Sequence, residues 1–310
     1  MRTLALTLGD PAGVGPEVAR KALTQMPRPS DVHILVIGPQ GLAQDVTAGL
    51  GTQATALPLD AFSGPIGRPT AASGAISLAA LHRAIALAQE GQVDGIVTAP
   101  ISKEALVMSG STDLGHTEIL RRGLARGPVA MAFFSERLRL VLASVHVPLR
   151  TAVTQLSTTR VVEVGHLFHE ALQTIDEIAA PRLALAGLNP HAGEGGIIGA
   201  EEIAILAPAV QTLRAQGVSI SDPIAPDVVF RQCVDGLYDG VVALYHDQGL
   251  IPIKLLAFGT AVNVTLGLSI PRTSPDHGTA YDIAGQNRAS PDGMCAALAL
   301  GLRLLRRRVI

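Results

Sequence analysis

Short apolar runs alternate with amphipathic segments along the chain. Five of these runs predict buried strands, at residues 4–8, 33–38, 93–98, 183–187 and 241–245. Apolar positions three or four residues apart predict helices at residues 16–25, 77–89, 158–175, 201–216 and 292–307, with another helix beginning at Ser102. Strands that alternate with helices in this way indicate an α/β fold with a mostly parallel sheet.

Two further apolar runs, at residues 129–134 and 138–146, are separated only by Ser135, Glu136 and Arg137. A connection this short joins neighbouring antiparallel strands, so we predict a β-hairpin. An antiparallel element within a mostly parallel sheet favours a second lobe, and 310 residues are enough to give each lobe its own core.

Composition and charge narrow the classes of function. A hydrophobic content of 48% fits an enzyme with much buried sheet, and a net charge of −2 gives no electrostatic attraction to nucleic acid or membrane. The longest apolar stretches are interrupted by Gly, Pro, His or charge, and Met1 leads directly into a strand, so we expect neither a membrane span nor a signal peptide. The two cysteines, Cys233 and Cys295, lack a CxxC spacing, which favours a reducing, cytoplasmic location.

Three histidines follow apolar runs and are the first candidates for chemistry. His146, His191 and His246 each come after a predicted strand, and α/β folds bind ligands at the carboxyl ends of strands. Three neutral imidazoles suit Zn²⁺ or a similar ion and leave a coordination position open for substrate. Each histidine also fits a hydrogen-bonded turn residue, and the pattern alone does not decide between the two interpretations.

Two other segments are candidates for ligand binding. Gly115-His116-Thr117-Glu118 precedes a helix and offers an anion backbone N–H groups, a hydroxyl and an imidazole. Lys254, Asn263 and Arg272 lie in a stretch otherwise poor in charge, where a cation pairs with a carboxylate of the protein or with an anionic ligand. An internal salt bridge or a Lys with a solvent-exposed amine is the alternative.

The segment from Asp276 to Gln286 combines acidic residues with a Gly-rich turn. Such an acidic residue can bind a ribose diol while its charge repels a 2′-phosphate, although Asp and Gly also favour turns in their own right. The glycines at positions 9, 13 and 15 do not form a GxGxxG motif, and no GxSxG motif is present. The sequence therefore favours neither a Rossmann fingerprint nor a serine nucleophile.

Taken together, these motifs resemble the 4-hydroxythreonine-4-phosphate dehydrogenase (PdxA) family over essentially the whole chain. The resemblance implies a two-lobed isocitrate/isopropylmalate dehydrogenase-like fold with a cleft between the lobes, and a homodimer with an active site shared between subunits. It implies a divalent metal, Zn²⁺ first with Mg²⁺, Co²⁺ or Mn²⁺ as alternatives, held by His146, His191 and His246. Implied substrate contacts are His116, Thr117, Lys254, Asn263 and Arg272.

The resemblance also divides the chain and assigns the remaining roles. Residues 1–125 and 255–310 are expected to form a cofactor-binding lobe, and residues 126–254 a lobe for metal, substrate and dimerisation. In the wider superfamily a loop similar to residues 277–285 binds adenosine, and an acidic residue at 282 goes with NAD. The expected NAD-binding residues are His277, Gly278, Thr279 and Asp282. Lys103 and Asp247 are the candidate catalytic residues, Asp247 either as a proton acceptor or as a residue that orients His246.

The activity implied is NAD-dependent oxidation of 4-phosphohydroxy-L-threonine at C3, followed by decarboxylation to 3-amino-2-oxopropyl phosphate. D-threonate and D-erythronate 4-phosphate are alternative substrates, because they carry a hydroxyl where hydroxythreonine phosphate carries an amino group. Relatives that oxidise the terephthalate cis-dihydrodiol lack the Gly-His-Thr-Glu motif, which this chain keeps. The loop around Asp282 argues against a binding module without activity and against a metal-dependent hydrolase or lyase.

Overall fold

The computed structural model describes residues 1–27, 29–113 and 115–306. The strands are β1 (Arg2–Thr7), β2 (Val32–Pro39), β3 (Ala54–Leu59), β4 (Gly95–Thr98), β5 (Ala125–Phe134), β6 (Arg139–Leu142), β7 (Arg182–Ala186), β8 (Ser219–Ile224), β9 (Gly240–Ala243), β10 (Val262–Leu268) and β11 (Arg272–Pro275). The helices are α1 (Gly15–Gln25), α2 (Gln40–Thr47), α3 (Ala71–Gln89), α4 (Lys103–Met108), α5 (His116–Leu124), α6 (Leu149–Gln155), α7 (Thr158–Ile175), α8 (Ala207–Ala215), α9 (Pro226–Val234), α10 (His246–Ala257) and α11 (Asp292–Arg306).

The chain folds into two compact units. Unit 1 contains Met1–Arg126 and the described residues from Leu268 onward, and unit 2 contains Gly127–Gly267. The resemblance implies that residues 255–267 belong to the first lobe, whereas in the structure they belong to unit 2. The reason is that Ile253, Ala257 and Ala261 are buried in the core of unit 2. The roles assigned to the two lobes stay predictions.

Unit 1 is built on a parallel sheet with the strand order β3-β2-β1-β4-β11. Its strands end at the same edge because all of them run in one direction. The turn after β1, the start of α4 and the loop after β11 therefore lie at that edge. A buried core that includes Leu81, Ile85 and Leu120 packs on this sheet from α3 and α5.

Unit 2 contains the strand order β10-β5-β6-β9-β7-β8. β5 and β6 pair antiparallel, which confirms the predicted hairpin, whereas β6, β9, β7 and β8 pair parallel. Because β6, β9 and β7 are parallel neighbours, the segments that carry His146, His246 and His191 all leave the sheet at its carboxyl edge. The predicted α/β fold with a mostly parallel sheet and an antiparallel element is confirmed.

Some helices and strands are not predicted from sequence, because they contain residues that are unfavourable in a helix or a strand. α10 contains Gly249 and Pro252, and a β-carbon on Gly249 would lie 2.7 Å from a methyl carbon of Leu142. β8 carries Pro223, which the sheet accepts because β8 is its last strand. The predicted helix at residues 201–216 is a π-helical turn (Glu202–Leu206) followed by α8. The predicted end of the last helix, at residue 307, lies outside the described residues.

One described helix, α3, is long and apolar enough to cross a membrane by length and composition alone. Residues 77–89 of it form the helix predicted from sequence, where no membrane span is expected. Ala80, Leu81, Ala84 and Ile85 of α3 are buried in the core of unit 1. The helix is therefore apolar because it is a core helix.

A close approach between α3 and α4 generates a prediction about stability. A β-carbon on Gly74 would overlap the backbone carbonyl of Ala105, and backbone cannot move aside cheaply. Gly74→Ala should therefore lower the free energy of unfolding by about 2 kcal/mol, measured by urea denaturation.

The matched control is Gly41→Ala in α2, where a new β-carbon meets no atom within 4 Å. Alanine is the better helix former, so this variant should be more stable by about 0.5 kcal/mol. Equal effects of the two substitutions would show that the approach of α4 does not constrain position 74.

Candidate active site

The carboxyl edge of the unit 1 sheet brings the turn after β1 against the segment after β4. The Asp10 amide donates to the Pro100 carbonyl over 2.9 Å, and the Ala99 amide donates to the Thr7 carbonyl over 2.9 Å. Gly9, with φ +68°, is required here because a β-carbon would overlap the Pro100 carbonyl. The turn is thus held directly beside the start of α4.

Arg272 is a buried cation at this edge. Its Nη2 donates to the Thr98 hydroxyl over 2.6 Å, and only 1% of the residue is exposed. Burial lowers the pKa of the Arg272 guanidinium to about 9, which still leaves it charged at neutral pH. A buried positive charge of this kind is suited to a phosphate or carboxylate ligand.

His116 is the first residue of α5, preceded by Gly115 as its N-cap, so the predicted helix start is confirmed. Its ring hydrogen-bonds to the Ala99 backbone, while Nε2 is buried and has no hydrogen-bond partner among the described residues. Burial, with the charge of Arg272 second, holds the pKa of His116 well below its usual range. The imidazole is therefore neutral, and its Nδ1–H donates to the Ala99 carbonyl.

This protonation state bears on the anion-binding role predicted for His116. An imidazole that donates from Nδ1 while neutral can only accept at Nε2. Its free nitrogen therefore suits a hydroxyl or another donor of a ligand better than a bare phosphate oxygen. The charge that an anion needs comes from Arg272 and from its neighbours.

Lys103 and Thr117 complete this group. Lys103 is the first residue of α4, and its Cε lies 4.0 Å from the position that a β-carbon on Gly115 would take. Thr117 is the half-buried second residue of α5. Unit 1 thus brings together four of the residues predicted from sequence: Lys103, His116, Thr117 and Arg272.

The predicted cofactor loop, residues 277–285, follows β11 at the same edge. The Thr279 carbonyl accepts a hydrogen bond from the Val14 amide over 2.9 Å, and Gly13 packs so closely that a β-carbon would lie 2.8 Å from that carbonyl oxygen. His277 Nδ1 lies 2.9 Å from the Gly278 carbonyl, and its Nε2 is buried without a hydrogen-bond partner in the described chain. Asp282 is exposed.

A groove of about 240 Å³ lies where this loop meets α1 and α2. Its walls include Gly13 and Arg20 on one side and Gly285 and Asn287 on the other. The groove therefore leaves space beside Gly285, at the end of the loop, on the side of α1.

Two of the three predicted metal ligands meet in unit 2. The rings of His146 and His246 have centroids 5.7 Å apart. His246 Nδ1 lies 2.7 Å from an oxygen of Asp247, which leaves Nε2 for another partner. A metal-binding histidine usually donates its second N–H to a carboxylate in this way, so the pair fits a metal ion that prefers imidazole ligands.

His191 lies on an unusual backbone. Residues 191–196 all have positive φ, and three of them, His191, Ala192 and Glu194, are not glycine. Left-handed backbone costs about 1–2 kcal/mol for each non-glycine residue, so other contacts must hold this turn. The buried carboxylate of Glu202 anchors the segment that leads into the turn, because it accepts from the Leu188 and Asn189 amides, each over 2.8 Å.

The described part of one chain contains no group of three His, Cys, Asp or Glu side chains that could hold a metal ion. A single chain thus brings together His146 and His246, and the third predicted ligand, His191, does not complete a site with them.

The last two predicted substrate residues also lie in unit 2. Lys254 is exposed on α10, on a surface that it shares with Ile251, Leu255 and Phe258. Asn263 lies on β10, and its Oδ1 is buried with no hydrogen-bond partner in the described part of the chain. The five predicted substrate residues are therefore divided between the two units.

Sequence reasoning missed Asp10, Tyr281 and Glu202. Asp10 lies in the Gly-rich turn that lacks a GxGxxG motif, and Tyr281 lies in the segment that predicts a ribose contact. The sequence does contain one indication for Asp10. It is an acidic residue that follows a buried strand and has no basic residue nearby in sequence to pair with. Glu202 gave no signal, because an acidic first turn is ordinary in a helix.

Comparison with known proteins connects this arrangement to a family. Residues 15–301 match the family described as pyridoxal phosphate biosynthetic protein PdxA. The chain is 41% identical to the 4-hydroxythreonine-4-phosphate dehydrogenase of Caulobacter vibrioides, over 99% of this chain and 98% of that protein. It is 38% identical to the D-threonate 4-phosphate dehydrogenase of Salmonella typhimurium, over 98% and 99% of the two chains.

Solved structures agree with the sequence comparison. The 4-hydroxythreonine-4-phosphate dehydrogenase from Klebsiella pneumoniae superposes with a TM-score of 0.85 at 36% identity, over 98% of this chain and 100% of that one. A β-decarboxylating dehydrogenase from Thermococcus kodakarensis shares the fold alone, with a TM-score of 0.55 at 16% identity over 99% and 84% of the two chains. The chain belongs to the PdxA family.

Proposed function

We propose that this protein oxidises 4-phosphohydroxy-L-threonine at C3 with NAD and that the product loses CO₂ to give 3-amino-2-oxopropyl phosphate. As a member of the PdxA family the chain is an oxidoreductase. The observation that carries the proposal is the group formed by Arg272, His116 and Lys103 at the carboxyl edge of the unit 1 sheet. It combines a buried cation, a neutral acceptor and an exposed ammonium group, as a phosphorylated hydroxy acid requires.

The residues of unit 1 have separable roles in this proposal. Arg272 and Lys103 bind the anionic groups, Arg272 with the planar geometry that pairs two oxygens at once. His116 accepts from a substrate hydroxyl through Nε2. Thr117 adds a hydroxyl at the start of α5, where backbone N–H groups also face a ligand.

The residues of unit 2 support a divalent metal. His146 and His246 supply imidazole nitrogens, with His191 as the third ligand and Zn²⁺ as the preferred ion, ahead of Mg²⁺, Co²⁺ or Mn²⁺. When bound, such an ion acts as a Lewis acid that makes the substrate alcohol easier to deprotonate. The contact between Asp247 and His246 favours Asp247 as the residue that orients this ligand. Lys254 and Asn263 are proposed as further substrate contacts.

NAD is proposed as the cofactor because of the loop at residues 277–285. Its exposed Asp282 can accept hydrogen bonds from a ribose diol, and its charge disfavours the 2′-phosphate of NADP. His277, Gly278 and Thr279 form the rest of the proposed contact. Gly278 suits this role, since no atom lies within 4 Å of the position of a β-carbon and a ligand can approach the backbone.

D-threonate 4-phosphate is the second candidate substrate, because the Salmonella typhimurium relative named for it is nearly as similar as the relatives named for hydroxythreonine phosphate. D-erythronate 4-phosphate has the same chemical groups. The terephthalate cis-dihydrodiol is disfavoured because this chain keeps the Gly-His-Thr-Glu motif at residues 115–118, which by the resemblance is lost in relatives that oxidise the dihydrodiol.

A homodimer is proposed because the described part of one chain contains no complete metal site and exposes an apolar surface. Ile251, Leu255 and Phe258, on one side of α10, are 60%, 82% and 80% exposed. Ile197, which directly follows the turn of His191, is 85% exposed. The exposed apolar residues of α10 indicate a protein contact, and a second copy that brings its own His191 would complete the ligand set.

The remaining proposals concern location. Both cysteines are free in the structure, and Cys233 is buried, which fits a reducing compartment such as the cytoplasm. The small net charge supports neither nucleic acid nor a membrane surface as a partner.

Substrate choice is tested by NAD reduction at 340 nm with the four candidates named above. We expect the highest kcat/KM with 4-phosphohydroxy-L-threonine, no turnover of the dihydrodiol, and about a 100-fold preference for NAD over NADP, because like charges held close together cost several kcal/mol. Asp282→Asn should narrow that preference. Substrate consumed without a change at 340 nm would point to a hydrolase or lyase.

The shared metal site is tested with a purified heterodimer of His191→Ala and His246→Ala chains carrying different tags. Each parent homodimer lacks a ligand in both sites, whereas the heterodimer has one intact site if the ligands come from different chains. We expect about half the wild-type activity and about one metal ion per dimer instead of two. A heterodimer as inactive and metal-poor as its parents would contradict the sharing.

The neutral state of His116 has a consequence for stability. Its pKa in the folded chain lies below the unfolded value, about 6.5, so only the unfolded chain takes up this proton as the pH falls through that value. Stability from this group is therefore complete above pH 6.5 and lost below it. Between pH 7 and 5.5 the wild type should lose about 1 kcal/mol more unfolding free energy than His116→Gln. Parallel losses would contradict a neutral His116.

A further inference from the structure

The carboxylate of Asp10 is fully buried in unit 1 and has no part in the chemistry proposed above. One oxygen accepts from the Ala12 amide over 2.8 Å. The other accepts from the hydroxyls of Ser73, over 3.2 Å, and of Tyr281, over 2.7 Å. Burying a carboxylate is costly unless such bonds compensate, and hydrogen bonds to a charged group are among the stronger ones. The short bond to Tyr281 is therefore a substantial contact between the turn after β1 and the cofactor loop.

Tyr281 extends this contact into a network. Its hydroxyl also hydrogen-bonds to the side chains of Ser102 and Thr279. Burial, with the bond to Asp10 acting in the same direction, raises the pKa of the Tyr281 phenol, so the group stays a protonated donor. Ser102 in turn caps α4 by accepting from the Ala105 amide over 3.1 Å, and the next residue is Lys103. One network thus joins the cofactor loop, the turn after β1 and the start of α4.

The loop is also tied down beyond its exposed part. A carboxylate oxygen of Glu17 accepts from the Ala289 amide over 2.8 Å, and Lys21 Nζ donates to the Asn287 carbonyl over 3.0 Å. The exposed Asp282 lies between these anchors and the bond from Tyr281 to Asp10. Ala280, with φ +43°, adopts a left-handed conformation that a non-glycine residue avoids without support.

We propose that Asp10 and Tyr281 are positioning residues that hold residues 277–285 in the conformation that receives the cofactor. The inference rests on the proposed binding of NAD to this loop. Neither residue needs to touch NAD. They act by ordering the loop before NAD arrives, which removes the cost of ordering it from the binding step. Loss of the pair should therefore weaken NAD binding and leave the rate of the bound complex nearly unchanged.

Tyr281→Phe tests this directly, because it removes a single hydroxyl and keeps the ring. We expect the Kd and the KM for NAD to rise about 10- to 100-fold, the range for losing a hydrogen bond to a charged group. The kcat at saturating NAD should change less than about twofold, since the same complex then reacts. Tyr238→Phe in unit 2 is the matched control and should leave both constants unchanged.

A double-mutant cycle shows whether the two residues act through each other. Asp10→Asn keeps the size of the side chain but reduces its two acceptor oxygens to one. If the pair works as one contact, the variant that carries both substitutions should bind NAD no more than about threefold less tightly than the weaker single variant. If the double variant instead lost NAD affinity by the product of the two single losses, Asp10 and Tyr281 would act independently, which would contradict the proposed contact.

Amide hydrogen exchange of the ligand-free protein separates this inference from the proposed function. Exchange at residues 279–289 should become faster in Tyr281→Phe and stay unchanged in Tyr238→Phe. If exchange in the loop is faster in Tyr281→Phe but the wild type binds no NAD, the proposed cofactor is wrong, while Asp10 and Tyr281 still order the loop. If protection of the loop equals that of the wild type, the positioning role fails whatever the binding of NAD.

Discussion

Parallel strand pairing is the constraint on which the rest of this structure depends. In unit 1 it places the ends of β1, β4 and β11 at one edge, so residues more than 250 positions apart in sequence, such as Asp10 and Tyr281, can share a hydrogen bond. In unit 2 it places the ends of β6, β9 and β7 side by side, each followed by a histidine. The common direction of the strands thus brings the candidate site residues of each unit to one edge of its sheet.

Prediction from sequence succeeded where a signal was local. Apolar runs gave most of the strands that precede the motifs, and helix α7 was predicted with the bounds that it has, Thr158–Ile175. The start of α5 at His116 was also found, because glycine and a polar first turn mark a helix start. α10 was missed because Gly249 and Pro252 are poor helix formers. Packing stabilises this helix instead, since Gly249 allows α10 to approach β6 and β9 closely.

The parts of the site that could not be predicted depend on contacts distant in sequence. The neutral state of His116 results from burial and from Arg272, which lies in another element. Nothing near residue 116 in sequence indicates either. Similarly, the three histidines look alike in sequence, yet only His146 and His246 meet within one chain. A sequence pattern can assign residues to one edge of a sheet, but it does not reveal which of their side chains meet there.

The left-handed turn at residues 191–196 restricts which side chains this protein can carry there. Gly193 has little room for a side chain, because a β-carbon would lie 2.7 Å from an oxygen of Glu202. This position of the turn therefore requires glycine. The side chain of residue 191 is free of that restriction, being exposed at the start of the turn. Asn and Asp accept left-handed backbone more readily than most residues, and a carboxylate favours harder ions than an imidazole does. If residue 191 is a metal ligand, as proposed above, Asp at this position would favour Mg²⁺ or Mn²⁺ over the borderline metals that three imidazoles prefer.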